Sequence, residues 1–287
     1  MKKLLLHLER DTRASVFDQV VAYDAGVDHV MAYGGISPAE VAPLVYGVMF
    51  TRGGEDLRHS AIFIGGTRVV EAEELLDQVQ KTFFGPVRVA VMFDPNGCNT
   101  TASAAVQKIA RGRNLTGKKA LVLAGTGPVG TRIAKLLFRE GCQVLLSSRQ
   151  LERAQEVCQH LKQQGGVEVE PLQVTGKQDA NAALAKGINI AVCCGSPGVQ
   201  LLDQATWTQQ ESLEIMADIN AVEPLGIEGI KVGDDGKERQ GKIVYGAIAI
   251  GNLKMKVHRA ALQALYQRND QVLDLEAIYT LTKELGA

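Results

Sequence analysis

The chain lacks any excess of charge. Its 31 lysines and arginines stand against 32 aspartates and glutamates, a formal net charge of −1 over 287 residues. With no long basic run, nothing supplies the electrostatic footprint that nucleic acid requires. No apolar run approaches the roughly 18 residues of a membrane span, so no membrane partner is expected. The opening "MKKLLLHLERD" begins like a secretory leader. Charges interrupt it within a few residues and no small-residue cleavage site follows, so it reads as the first strand of a cytoplasmic protein. No C-x-x-C occurs either. The five cysteines (Cys98, Cys142, Cys158, Cys193 and Cys194) are odd in number, which fits free thiols in a reducing compartment. Cys193 and Cys194 are adjacent and cannot offer two ligands from one face of a strand. The five histidines show no metal-ligand spacing, so no metal site is expected. Repeats and low-complexity segments are absent.

What is present is a globular composition, 46% hydrophobic and 22% charged, long enough for one large domain or two smaller ones. Apolar strand-like runs alternate with amphipathic helical stretches, the mark of an α/β fold. In the first third the strands are "KKLLLHLE", "VDHVMAYG", "SAIFIGG" and "VRVAVMFD", separated by helical patterns such as "SVFDQVVAYDA" and "EAEELLDQVQKTFF". Ser37 reads as a helix N-cap, with Pro38 in the first helical position and Glu40 closing a capping box. A polar, basic joint, "RGRNLTGKK", leads to a second α/β run. Its strands are "KALVLAG", "QVLLSS", "VEVEPLQ", "INIAVCCG" and "LEIMADIN". The helical tail after them is expected to return to the first lobe. The expected domains are 1–112 with the C-terminal helices 252–287, and 113–251.

"KALVLAGTGPVG" is a strand running into G-x-G-x-x-G and then an amphipathic helix, the setting in which that pattern signals a dinucleotide. Gly125 permits the tight turn, Gly127 lets backbone approach a pyrophosphate, and Gly130 lets the helix pack close to the strand. Thr126, Pro128 and Val129 complete the turn, and the helix start aims N–H groups at phosphate. A Rossmann-type parallel sheet follows as the fold of this domain, beside a second α/β domain. An NAD site ordinarily ends its second strand with an acid that accepts from the ribose hydroxyls. Here that strand ends in Ser147, Ser148 and Arg149, with Arg153 a helical turn later. Hydroxyls and guanidinium groups suit a 2′-phosphate, so NADP is expected, with NAD as a weaker possibility.

The remaining chemistry is less explicit. No Y-x-x-x-K lies in the dinucleotide domain; Tyr279 and Lys283 make that pattern only in the terminal helix. "FDPNGCNTTAS" closes a strand and opens a helix with Asn99, Thr100 and Thr101, more polar residues than capping alone requires. "GNLKMKVHRA" sets Lys254 and His258 at i and i+4 on one helical face. From spacing alone, a solvated surface is the favoured reading of that face.

Together these stretches resemble the NADP-dependent methylene-tetrahydromethanopterin dehydrogenases of one-carbon-metabolising bacteria. "SVFDQVVAYDAGVDHVMAYG", "YGVMFTRGG", "SAIFIGG", "FFGPVRV", "NGCNTTA", "VLAGTGPVG", "ADINAVEPLGIEGI" and "GAIAIGNLKMKVHRA" carry the resemblance, in order along nearly the whole chain. It implies hydride transfer from methylene-tetrahydromethanopterin to NADP⁺, giving the methenyl form. It implies further a tetrahydromethanopterin-type one-carbon carrier as partner, a homo-oligomer, and a pterin cleft between the two domains. Some members also accept methylene-tetrahydrofolate. The N-terminal Tyr/Lys pair of the related bifunctional dehydrogenase/cyclohydrolases has no counterpart here, so dehydrogenase activity alone is implied. Substrate contacts carry over to Phe17, Thr101, Lys254 and His258, and more loosely to Asp18, Asn99 and Thr100. A lysine beside a developing cation is electrostatically unfavourable, so of the two expected catalytic residues Lys254 is given a positioning role and Asp18 the stabilisation of the cation. Two other readings stay open at this point. One is a shikimate- or glutamate-type dehydrogenase, for which the Lys/Asp motif context is missing; the other is a module that senses NADP without chemistry.

Overall fold

Central strands buried on both faces read as unbroken apolar runs, and the computed structural model, which describes residues 1–286, turns those runs into one parallel sheet and one that is parallel but for its edge strand, Asp235–Arg239. The chain passes through β1 (Leu4–Leu8), α1 (Val16–Asp24), β2 (His29–Tyr33), α2 (Val41–Met49), β3 (Ser60–Ile64), α3 (Val69–Thr82), β4 (Ala90–Phe93) and α4 (Cys98–Ala110). The second run is β5 (Lys119–Leu123), α5 (Pro128–Arg139), β6 (Gln143–Ser148), α6 (Leu151–Gly165), β7 (Val169–Gln173), α7 (Lys177–Leu184), β8 (Ile190–Cys193), α8 (Gln204–Trp207) and β9 (Ile215–Asp218). A hairpin of β10 (Asp235–Arg239) and β11 (Lys242–Tyr245) follows, then α9 (Ala247–Ala264), β12 (Val272–Leu273) and α10 (Leu275–Gly286).

Two compact units result, Met1–Thr100 with Met255–Leu285, and Thr101–Lys254. The division falls inside the unbroken helices α4 and α9, and the basic joint after Ala110 lies wholly in the second unit. Among the described residues no helix is long and apolar enough to cross a membrane.

In the first unit the strand order is β12-β4-β3-β1-β2, every pairing parallel. The chain moves from β1 outward to β2 and then returns to β1's other side for β3, so the topology reverses at β1. Ligands of open α/β sheets bind outside the carboxyl ends of the strands at such a reversal. Leu8 of β1 is level with Ile64 of β3, and Gly65 N–H donates to Leu8 O at 3.2 Å, which sets the residues after the two strands side by side. Leu6, Leu8, Ile62, Ile64 and Val91 pack with Val41, Val45, Met49, Leu75 and Val79 of the helices in one buried cluster. The capping box at Ser37 forms as expected: its N–H donates to Glu40 Oε2 at 2.9 Å. It opens a short 3₁₀ turn that continues into α2.

The second unit has the order β10-β11-β9-β8-β5-β6-β7. From β5 the chain goes to β6 and β7 on one side, then crosses to β8 and β9 on the other. The reversal lies at β5, the doubly wound arrangement of dinucleotide-binding folds. Leu121, Leu123, Ala191, Met216 and Val244 form its core with Leu184, Trp207 and Ile227. β10, β11 and β12 were not anticipated. β10 is a polar, mostly exposed edge with no apolar alternation, joined antiparallel to β11 through Gln240 and Gly241, both at positive φ. β12 has two residues and owes its pairing to β4 alone.

Candidate functional site

At the reversal of the second sheet, the three glycines divide by what surrounds them. A Cβ on Gly125 would lie 2.9 Å from Leu146 Cγ, and one on Gly130 would lie 2.6 Å from the Cα and O of Gly125. Helix α5 therefore seats directly on the turn, and neither position has room for a side chain. Gly127 differs: nothing lies within 4 Å of its Cβ position, and its φ of −80° is open to any residue. Neither packing nor backbone conformation demands glycine there, which is otherwise favoured only as the N-cap of α5. A pyrophosphate fits this opening at the start of α5, where Pro128 occupies the first turn and the first-turn N–H groups of a helix have no intrahelical acceptor. Thr126 and Val129 are half-exposed beside it and Pro128 is exposed.

The end of β6 ties into the same turn. Ser147 is buried; its Oγ accepts from Ala124 N–H at 3.1 Å, and its carbonyl accepts from Gly125 N–H at 2.8 Å. Ser147 thus holds the turn, leaving the neighbouring side chains to face a ligand. Ser148 Oγ accepts from Gln150 N–H at 3.3 Å, which leaves its hydroxyl proton available to donate. Arg149 and Arg153 are exposed and make no ion pair among the described residues.

At the reversal of the first sheet a second group assembles. Ser15 caps α1 by accepting from Asp18 N–H at 3.2 Å, which fixes Phe17 and Asp18 in the first helical turn. Residue His258, far along the chain on α9, comes to the same place. Its Nε2 is 3.8 Å from Asp18 Oδ1, and its ring lies 6.3 Å from that of Phe17, tilted by 50°. The Phe17 side chain is half-exposed while His258 is buried. Beneath them lie two residues that the sequence analysis passed over. His7 and Glu9 alternate onto one face at the end of β1, with His7 Nε2 and Glu9 Oε1 2.7 Å apart, both residues 1% exposed. The register pairs His7 with Phe63, whose ring meets His7 edge-on at 4.9 Å and stacks on His258 at 5.7 Å. Gly65 is close: a Cβ there would lie 2.5 Å from Glu9 Oε1. The available signal was "HLE", two polar residues at period two closing an apolar strand.

His7, Glu9 and Asp18 offer ligand atoms within 4.8 Å of one another, a grouping that histidine spacing did not suggest. Within the group, His7 and Glu9 are bonded to each other.

The other expected contacts are placed differently. Asn99 and Thr100 are buried around Asp94, itself 1% exposed. Asp94 Oδ1 accepts from Asn99 N–H at 2.8 Å, Asp94 Oδ2 accepts from the Thr100 hydroxyl at 2.6 Å, and Asn99 Nδ2 donates to Phe93 O at 2.6 Å. These contacts anchor the start of α4 to the end of β4. Thr101 is half-buried in the same helix. Lys254 is half-buried on α9, one turn before His258. Tyr279 and Lys283 face each other on α10, the ammonium 4.6 Å from the ring centroid, a contact within one helix.

Residues 16–96 match the family profile of the methylene-tetrahydromethanopterin dehydrogenase N-terminal domain, and residues 118–217 match that of short chain dehydrogenases. The chain is 45% identical to the bifunctional protein MdtA of Methylorubrum extorquens, over 99% of both chains. It is 29% identical to the NAD(P)-dependent methylenetetrahydromethanopterin dehydrogenase of the same organism, over the full length of both. Among solved structures, the 5-ketofructose reductase of Gluconobacter sp. strain CHM43 shares its fold, with a TM-score of 0.53 at 13% identity and 99% of each chain covered. Sequence identity sustained from end to end, with the matching N-terminal domain and a Rossmann-type second unit, shows that this chain belongs to the methylene-tetrahydromethanopterin dehydrogenase family.

Proposed function

We propose that this protein oxidises methylene-tetrahydromethanopterin to the methenyl form with NADP⁺. The observation that carries this reading is the convergence of Phe17, Asp18 and His258 at the reversal of the first sheet, in a chain whose second sheet has an open glycine turn at its own reversal. When bound, NADP⁺ supplies the hydride acceptor. Gly125 to Gly130 would hold its pyrophosphate, and Ser148, Arg149 and Arg153 its 2′-phosphate.

The reaction removes a hydride from a carbon between two nitrogens and leaves an amidinium cation. No proton leaves with it, so no general base is required, and the main task is to hold donor and acceptor carbons aligned. Phe17 offers an exposed ring to a pterin face. Asp18, close to the His7–Glu9 pair and to His258, places negative charge where positive charge develops. Lys254 would raise the cost of that cation if it faced the reacting carbon, so its role is to orient the pterin, through a polar atom such as the carbonyl. Asn99 and Thr100 act by fixing the start of α4, and through it Thr101. Self-association belongs to the same proposal, supported by Val16, Val20 and Tyr23, exposed at i, i+4 and i+7 on α1. Light scattering of the purified chain tests it.

The decisive assay follows absorbance of the reduced nicotinamide after adding NADP⁺ to enzyme and methylene-tetrahydromethanopterin, with methylene-tetrahydrofolate in parallel. Turnover of the first supports the proposal. Turnover of the folate alone would move the substrate to that carrier. NADPH binding without turnover of either would reduce the protein to a nucleotide-binding module.

A further inference from the structure

A dinucleotide lying across the reversal at β5 divides its halves between the two sides of the sheet. The 2′-phosphate end belongs with β6, where Ser148 and Arg149 stand. The nicotinamide end therefore belongs with β8 and β9, over the segments that follow their carboxyl ends, 194–202 and 219–227. The second segment contains "INAVEPLGI", a stretch whose chemistry the proposed function leaves without a role.

One side chain controls that segment. Asp218, the last residue of β9, is fully buried. Its Oδ1 accepts from Asn220 N–H at 2.9 Å and its Oδ2 from Ile227 N–H at 3.0 Å, so one carboxylate clasps both ends of the loop. Burial pushes this carboxyl above its ordinary range, against the lowering effect of the backbone N–H groups. A buried acid carrying that penalty at a strand end needs a compensating purpose. The two segments are cross-tied as well. Gly226 O accepts from Leu201 N–H at 2.8 Å, and Asn220 Nδ2 donates to Ser196 O at 3.4 Å. Gly226 has no room for a side chain: a Cβ would overlap Cys193 Sγ and lie 3.1 Å from Asp218 Oδ2. The loop is thus pinned at its base while Ala221 to Pro224 remain exposed.

We propose that Asp218 is a positioning residue for the nicotinamide half of the dinucleotide, acting by clasping the 219–227 loop into the floor on which that half rests. The inference rests on the dinucleotide reading above, and its test separates the two. Asp218→Asn preserves volume but sets an amide donor against one of the two loop N–H groups. Gly226→Ala displaces the same loop from its other end and leaves the carboxylate intact. Each variant is titrated with NADPH and with 2′,5′-ADP, which keeps the 2′-phosphate and adenosine but has no nicotinamide.

In both variants NADPH affinity should fall about tenfold or more, on the scale of a charge-assisted hydrogen bond lost, while 2′,5′-ADP affinity stays within about twofold. Turnover should fall with it, because the ring is no longer held for hydride transfer. Arg149→Ala is the opposite control and should weaken both ligands together. If either folded variant loses both ligands equally, the loop supports the domain as a whole and the proposal is overturned. Unchanged NADPH affinity and turnover in both variants would overturn it too. Wild-type protein that binds neither ligand would sink the dinucleotide reading itself.

Discussion

Gly127→Ala and Gly130→Ala should have opposite consequences, though they stand three residues apart in one motif. At Gly127 the added methyl meets no atom within 4 Å, and the backbone is already in a region alanine adopts. Two small effects then oppose each other. Alanine is a poorer N-cap than glycine, while fewer unfolded conformations favour the variant by about 0.4–1 kcal/mol. Stability should change by under about 1 kcal/mol, which for a unit of this size is roughly 2–4 °C in Tm. The methyl does, however, occupy the approach of the pyrophosphate. Displacing one charge-assisted N–H contact removes about 1.5–3 kcal/mol, so NADPH should bind on the order of ten- to a hundredfold more weakly. At Gly130 the methyl lands 2.6 Å from the Cα and O of Gly125. Overpacking of that kind costs about 1–3 kcal/mol or more, since backbone cannot rotate out of the way. Gly130→Ala should therefore melt several degrees lower even without cofactor. Isothermal titration with NADPH and thermal melts of the free proteins measure both effects. A Gly127→Ala protein that binds NADPH as tightly as wild type would refute the pyrophosphate assignment. A Gly130→Ala protein of unchanged Tm would refute the packing argument.

Arg149→Ala should raise the Michaelis constant for NADP⁺ by about ten- to a hundredfold while changing that for NAD⁺ little, because only the former carries the 2′-phosphate. Equal effects on both cofactors in steady-state kinetics would make Arg149 structural. Lys254→Ala should lower turnover, by up to about a hundredfold if the reacting carbons shift by about 1 Å, whereas His258→Ala should chiefly raise the Michaelis constant for the pterin. NADPH affinity, measured by titration, should hold in both variants, and wild-type kinetics in both would remove this helix from the site. Burial pushes the thiols of Cys142 and Cys158 up to about 11 and that of Cys193 up to about 12. Since the thiolate is the nucleophile, these three should resist alkylation at neutral pH until the protein unfolds. Rapid labelling of any of them in the native state, located by peptide mass spectrometry, would contradict the packing around it.

The cofactor half of the site was legible in the residues because its chemistry is local. Gly125, Gly127 and Gly130 sit within six positions of one another, and the absence of an acid after β6 is visible in a single strand. Strand and helix order was legible for the same reason: apolar period alone marked β1 to β9 except where burial was not the cause. What tertiary structure decided is what distance in sequence hides. It separated the glycines into two that packing requires and one, Gly127, with open space beside it, a distinction that spacing cannot express. It showed Asn99 and Thr100 anchoring the start of α4, because Asp94 lies within reach of both only after β4 turns into that helix. It brought His258 to Asp18 across some 240 residues, and it placed the His7–Glu9 pair beneath them. A polar residue at the end of a buried strand looks like any other until the sheet order is known. Only the return of the chain from β2 to the other side of β1 places that strand end at the topological reversal, and strand order is fixed by long-range packing.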